Sequence, residues 1–218
     1  MKTRMADALD ELLAVAIVVL HQGVLGNLKQ IPELELLSSQ VAGPMPRRSI
    51  TPGGMERLGG YLSACIEVAT TPLDRQLAEA LDAAADQLYW TSPYDKVERG
   101  PQLEALNSRY VCTVLAGQEA FREYQAPFVC EDSFIAFTLQ FPHTFYPAHS
   151  HYAREVYHVV AGQSDWQFGE EWISRQPGDW IFHPSYLHHA MQTTDEPLLS
   201  MVSWIDGFDN PEVHIHED

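Results

Sequence analysis

Apolar residues recur at helical spacing through "MADALDELLAVAIVVLHQGVL" (5–25), "MERLGGYLSACIEVA" (55–69) and "TPLDRQLAEALDAAADQLYW" (71–90). The third segment carries its own start signal, with Thr71 as a cap, Pro72 at the first helical position and Asp74 in the first turn. A Pro- and Gly-rich stretch, "VAGPMPRRSITPGG", separates the first two and reads as a loop. From about Tyr110 the texture changes to short β-rich runs: "RYVCTVLAG", "SFIAFTLQF", "EVYHVVAG", "DWQFG", "WISRQPGDWIFHP" and "LLSMVSWI". Gly, Pro, Asp or Asn separates them roughly every ten residues, as in antiparallel sandwiches and barrels. The pattern predicts a mainly β barrel (109–218) preceded by an N-terminal α-helical region (1–108), with no internal repeat. The helices are expected to cover one end of the barrel or to build a dimer interface.

The length of 218 residues suits one sizeable core with an extension and is short for two full domains. Thirty acidic residues against thirteen Lys and Arg give a formal charge of −17, which argues against nucleic acid or an anionic membrane surface as a partner. The run "LLAVAIVVL" (12–20) is too short to span a membrane. Asp7, Asp10 and Glu11 precede it where a secretory signal would be basic, so it is expected to be one buried helix. Cys65, Cys112 and Cys130 are odd in number and lack C-x-x-C spacing, so neither a disulfide framework nor a thiolate zinc site is expected, and a reducing, cytoplasmic setting fits.

Within the strand region, "YPAHSHYAREVYHVVAG" (146–162) places ionisable groups in an apolar, β-branched segment. His149, His151, Glu155 and Tyr157 share one parity. With a tight turn near Tyr152 to Arg154 joining two strand pieces, all four can face the same side, while His158 should point away. An H-x-H pair with a carboxylate from the next strand offers N and O donors for a divalent first-row metal. A fourth donor is available from His183, His188 or His189 in "QPGDWIFHPSYLHHAM". A lone buried histidine is more often a satisfied core residue, but four groups of matched parity buried without a cation would cost several kcal/mol, roughly. The terminal "HIHED" imitates an H-x-H pair, yet a polar chain end is expected to be disordered.

The segment "HSHYAREVYHVVAG" reproduces His149, His151, Glu155 and Gly162 at the spacings G-x5-H-x-H-x3-4-E-x6-G of the first cupin motif, without the leading Gly, and "PGDWIFHPSYLHHA" resembles the second motif. The resemblance implies a double-stranded β-helix, or jelly-roll, and by its spacing favours His189 over His188 as the fourth ligand. Within the cupins, H-x-H-x3-E-x-Y-H-V with the aromatic approach "FPHTFYPAHSH" resembles the bacterial dimethylsulfoniopropionate (DMSP) lyases, and the length is most like the DddL type. That resemblance implies β-elimination of DMSP to dimethyl sulfide and acrylate. It also implies Tyr157 as catalytic base, Tyr146 as a pocket residue, and one divalent ion (Fe, Mn, Co, Ni or Zn) at His149, His151, Glu155 and His189. A sulfonium is a soft cation suited to aromatic faces, and Tyr152 and Trp180 lie close to the motifs in sequence. A homodimer is compatible with this picture. Rival readings are a cupin dioxygenase or isomerase acting on another small acid, and a non-catalytic ligand-binding cupin.

Overall fold

The computed structural model describes residues 7–94, 101–118, 124–210 and 212–216. Five α-helices come first: α1 (Ala8–Asn27), α2 (Glu33–Gln40), α3 (Tyr61–Val68), α4 (Pro72–Ala84) and α5 (Pro101–Asn107). Eleven strands follow: β1 (Tyr110–Gly117), β2 (Phe128–Val129), β3 (Phe134–Gln140), β4 (Phe145–His151), β5 (Glu155–Ala161), β6 (Ser164–Phe168), β7 (Glu171–Arg175), β8 (Trp180–His183), β9 (His189–Thr193), β10 (Leu198–Trp204) and β11 (Val213–Ile215). They form a six-stranded sheet in the order β2-β1-β3-β10-β5-β8 and a five-stranded sheet in the order β11-β4-β9-β6-β7. Every pairing is antiparallel except β1 with β2. The two sheets face each other as a double-sheet β-barrel.

The six-stranded sheet is buried on both faces, which explains why β1 and β5 read as nearly unbroken apolar runs rather than alternating ones. Its inner face contributes Tyr110, Val114, Tyr157 and Val202 to the barrel interior together with Trp166 and Met191 of the opposite sheet. Its outer face contributes Val111, Leu115, Phe137, Val156 and Met201 to a second core shared with the helices. Helices α1 to α4 therefore lie across the outer face of one sheet, whereas α5 packs on β1 and β4 and adds Leu103 and Leu106 to the barrel-interior cluster. α1 has the length and apolar character of a membrane span, and it packs Leu12, Ala16, Val19 and Leu20 into this core against α4 and α2.

Residue parity along β5 works as the sequence predicts. His158 turns to the helical side, where its Nε2 lies 2.6 Å from Asp74 Oδ1 on α4. The Thr71 hydroxyl donates to Asp74 Oδ2 at 2.7 Å while its oxygen caps α4 by accepting from the Asp74 N–H at 3.0 Å. The strand that carries Glu155 and Tyr157 inward is thus tied to α4 from behind by a buried polar contact.

At the end of β5, Gly162 has φ +81 and a Cβ there would lie 2.0 Å from the Pro197 carbonyl oxygen. Backbone conformation and space both exclude a side chain at this turn. Gly162→Ala is expected to destabilise the fold by about 2–4 kcal/mol, read as a lower urea midpoint with unchanged slope. An unchanged midpoint would show that the turn yields at no cost.

Candidate functional site

β4 and β9 lie side by side with His149 opposite His189, and β5 and β8 lie side by side with Glu155 opposite His183. One pair belongs to each sheet, so the barrel brings these side chains together across its interior. All of them are nearly inaccessible: His149 and His151 are 3% exposed, Glu155 4%, His183 0% and His189 1%. Donor atoms of His149, His151 and His189 lie within 4.8 Å of one another, as do those of Glu155, His183 and His189.

The local backbone fixes which nitrogen of each ring is free. His149 Nδ1 donates to the Pro147 carbonyl at 3.0 Å, His151 Nδ1 to Ala153 at 2.9 Å and His189 Nδ1 to Leu187 at 2.8 Å. A carbonyl oxygen can only accept, so each Nδ1 bears the proton and each neutral ring keeps its lone pair on Nε2. Glu155 is held at both oxygens. Its Oε1 accepts from the Trp204 indole N–H at 2.8 Å, and its Oε2 lies 3.2 Å from His183 Nδ1, 3.4 Å from His151 Nε2 and 3.5 Å from His189 Nε2.

The electrostatics follow from this crowding. Burial opposes the Glu155 charge, but the adjacent His151, with His183 and His189 beside it, outweighs it and holds the carboxyl well below its usual range. His151 is raised despite burial, because Glu155 lies beside it. Burial drives His149 well below its ordinary value, with His189 adding to the effect, and takes His183 down to about 3 with the same neighbour contributing. His189 Nε2 is buried with no hydrogen-bond partner although it faces a carboxylate oxygen. An unprotonated nitrogen facing an anionic oxygen calls for a cation between them. The donor set, imidazole nitrogens with one carboxylate, suits a divalent first-row metal. His149, His151, Glu155 and His189 could hold such an ion, with Trp204 fixing the glutamate and His183, grouped with Glu155 and His189, at its other oxygen.

A cavity of about 290 Å³ opens onto this cluster. Tyr146 lines it, stacked on the His149 ring at 4.3 Å, with its hydroxyl 2.5 Å from that of Tyr94 and its ring edge-on to Tyr110 at 5.1 Å. Tyr157, also in the wall, packs against Trp166 and His183. Burial raises the Tyr157 hydroxyl well above its ordinary value, and the Glu155 charge and the neighbouring Tyr110 and Tyr94 add to that.

Two residues expected near the substrate lie elsewhere. Trp180 is opposite His158, shares its outward face, packs tilted on that ring with centroids 4.4 Å apart and fills the space left by Gly23 of α1. Tyr152 sits in the turn between β4 and β5, 43% exposed, with its ring centroid 5.9 Å from that of Tyr186. Closeness in sequence to a motif does not select the inward face, whereas parity with Tyr157 does. His188 is exposed, which separates it from its neighbour His189 in the cluster. The tail is ordered as far as His216: β11 pairs with β4, and His216 stacks on His188 at 3.8 Å and reaches Ser150 Oγ at 2.9 Å. Glu217 and Asp218 lie outside the described residues.

Sequence reasoning offered His183 only as one of three candidate fourth donors, without a defined role once His189 was favoured, and overlooked Tyr94, Tyr110 and Trp204. For His183 the signal was present, since the tight turn of "QPGDWIFHP" puts it in register with Glu155 once β5 and β8 pair. Tyr94 lies between α4 and α5 and belongs to no motif.

Two opposed sheets with histidines and a glutamate turned inward define a double-sheet β-barrel with a ligand set that could hold a metal. The chain belongs to the DMSP lyase family: the model described as dimethylsulfoniopropionate lyase matches residues 51–200. It is 32% identical over 138 residues to dimethylsulfoniopropionate lyase DddQ of Ruegeria pomeroyi, and the match spans 62% of this chain and 63% of that relative. The fold is similar to a solved structure described under the DMSP lyases RdDddP and RnDddQII, with TM-score 0.73, 21% identity and coverage of 96% of this chain and 98% of that one. The crystal structure of DMSP lyase DddQ from Ruegeria pomeroyi gives TM-score 0.65 and 22% identity, covering 90% of this chain and 95% of that one. The Ruegeria pomeroyi relative is DddQ, a different member of the family from the DddL type suggested by length.

The cluster predicts a graded response in metal content. His189→Ala is expected to lose bound metal and His188→Ala to keep it. His183→Leu, which leaves Glu155 without one of its donors, should weaken binding about 10- to 100-fold in a chelator competition. Equal loss from His188→Ala would reassign the ligand.

Proposed function

We propose that the protein cleaves DMSP to dimethyl sulfide and acrylate by β-elimination, with Tyr157 Oη as the base. The observation that carries this reading is that Tyr157 and the His/Glu cluster line the same cavity, with Tyr157 two residues beyond Glu155 on the inward face of β5. The DMSP lyase relatives point to the same chemistry.

The elimination removes a proton from the carbon next to the carboxylate as the C–S electrons leave with dimethyl sulfide and the C=C bond of acrylate forms. A divalent ion (Fe, Mn, Co, Ni or Zn) at His149, His151, Glu155 and His189 would supply a Lewis acid for the substrate carboxylate and a positive field favouring the Tyr157 phenolate. Tyr157 needs that field, because its surroundings in the protein alone keep the proton on the phenol. The sulfonium has no hydrogen-bond donor, so the ring faces of Tyr94, Tyr110 and Tyr146 and the apolar walls suit it better than a carboxylate would. Tyr94 and Tyr146, joined hydroxyl to hydroxyl, hold that wall in place. A cytoplasmic setting belongs to the same proposal and is supported by three buried cysteines that form no disulfide.

Headspace gas chromatography of the metal-loaded protein with DMSP is expected to show dimethyl sulfide, with acrylate in equal amount, and a chelated control is expected to show neither. Tyr157→Phe should keep its metal and its fold while turnover falls roughly a hundredfold to ten-thousandfold. No release with any of these metals would overturn the activity. A near-normal rate in the variant would remove Tyr157 as the base.

A further inference from the structure

Four strands end the two sheets, and they are not alike. β2 has two residues, β11 three, and β8 four with alternate side chains buried. β7 has five, and its first four are exposed. Natural sheets protect such an edge with a bulge, a proline or an inward charge at its centre. β7 has none of these: it pairs with β6 in unbroken register over its whole length and presents apolar side chains on both faces. Ile173, on the face shared with Trp166, is 39% exposed, and Trp172, on the other face, is 46% exposed.

The sequence of the strand, Glu-Trp-Ile-Ser-Arg, is complementary to its own reverse. An antiparallel pairing about a twofold axis at Ile173 sets Ile173 against the same residue of the other copy and Trp172 against Ser174. It sets Glu171 against Arg175 twice. Glu171 and Arg175 lie on one face of the strand, at its two ends, so both ion pairs flank the isoleucine contact. Within its own chain Arg175 has no carboxylate in ion-pair range among the described residues. Its guanidinium rests over the Phe168 ring at 5.4 Å and its Nε is buried without an acceptor. Glu171 likewise has no cationic partner among the described residues.

We propose that two copies of this chain associate along β7, joining their five-stranded sheets into one continuous sheet across a twofold axis. A strand from an unrelated protein could match the backbone hydrogen bonds, but only a second copy supplies the matching charge at both ends. The axis leaves the cavity and its ligands untouched, because β7 is the outermost strand while β4 and β9 carry the histidines.

The test is sedimentation velocity on the full chain over a concentration series. The wild type is expected to show a two-chain species whose share rises with concentration. Arg175→Glu and Glu171→Arg each replace both ion pairs with like charges, and each should weaken self-association by about tenfold or more. An equimolar mixture of the two variants restores opposite charges across the axis and should recover the dimer, as should the double variant E171R/R175E. Recovery in the double variant also shows that the single changes acted through pairing and not through misfolding. A wild type that stays single-chain at every concentration would overturn the proposal. So would single reversals that leave the dimer intact, or a mixture of folded variants that fails to associate.

Discussion

The site depends on one constraint: a carboxylate buried at 4% exposure must be surrounded by groups that compensate its charge. Glu155 meets part of that requirement with an indole N–H at one oxygen and His183 Nδ1 at the other, while the Nε2 atoms of His151 and His189 beside it leave the rest for a cation. Those contacts dictate much else. Trp204 has to lie across from it on β10, His183 beside it on β8, and His189 and His151 on the opposite sheet. The two sheets are drawn together at the point where a cation has most to gain. Three histidines cooperate by spending Nδ1 on nearby carbonyls, which leaves Nε2 toward the interior.

The six-stranded sheet serves two cores with one set of strands. Its inner face makes the cavity wall and its outer face is the floor for the helices. On β5 this doubling is visible from one residue to the next: Tyr157 looks into the barrel, and His158 is bound to Asp74 of α4. Helix packing and site geometry are consequently linked through the backbone of a single strand.

Much of this was legible in the sequence because strands impose a period of two. Parity alone grouped His149, His151, Glu155 and Tyr157 and sent His158 away, and the Thr71-Pro72 signal marked the start of α4. Parity also limits what can be read. It says which side a residue faces only when the strand's own phase is known, so Trp180 was drawn to the site by its neighbours in sequence although its cross-strand partner His158 faces outward. His183 became meaningful only with the β5–β8 register, and Tyr94 and Tyr110 only with the closure of the barrel. Helix α2, strand β9 and strand β11 carry too few apolar positions to announce themselves. The last of these is ordered by pairing with β4, a long-range contact that its polar composition conceals.

Tyr94 comes from the end of the helical half, not from the barrel, yet its hydroxyl meets that of Tyr146 inside the cavity. Part of the wall beside the groups suited to hold a metal is therefore encoded outside the barrel strands that carry those groups. Substitutions around residues 93–94 can remodel what the pocket admits while the ligand set stays intact, so evolution can retune selectivity in one half without rebuilding the centre in the other.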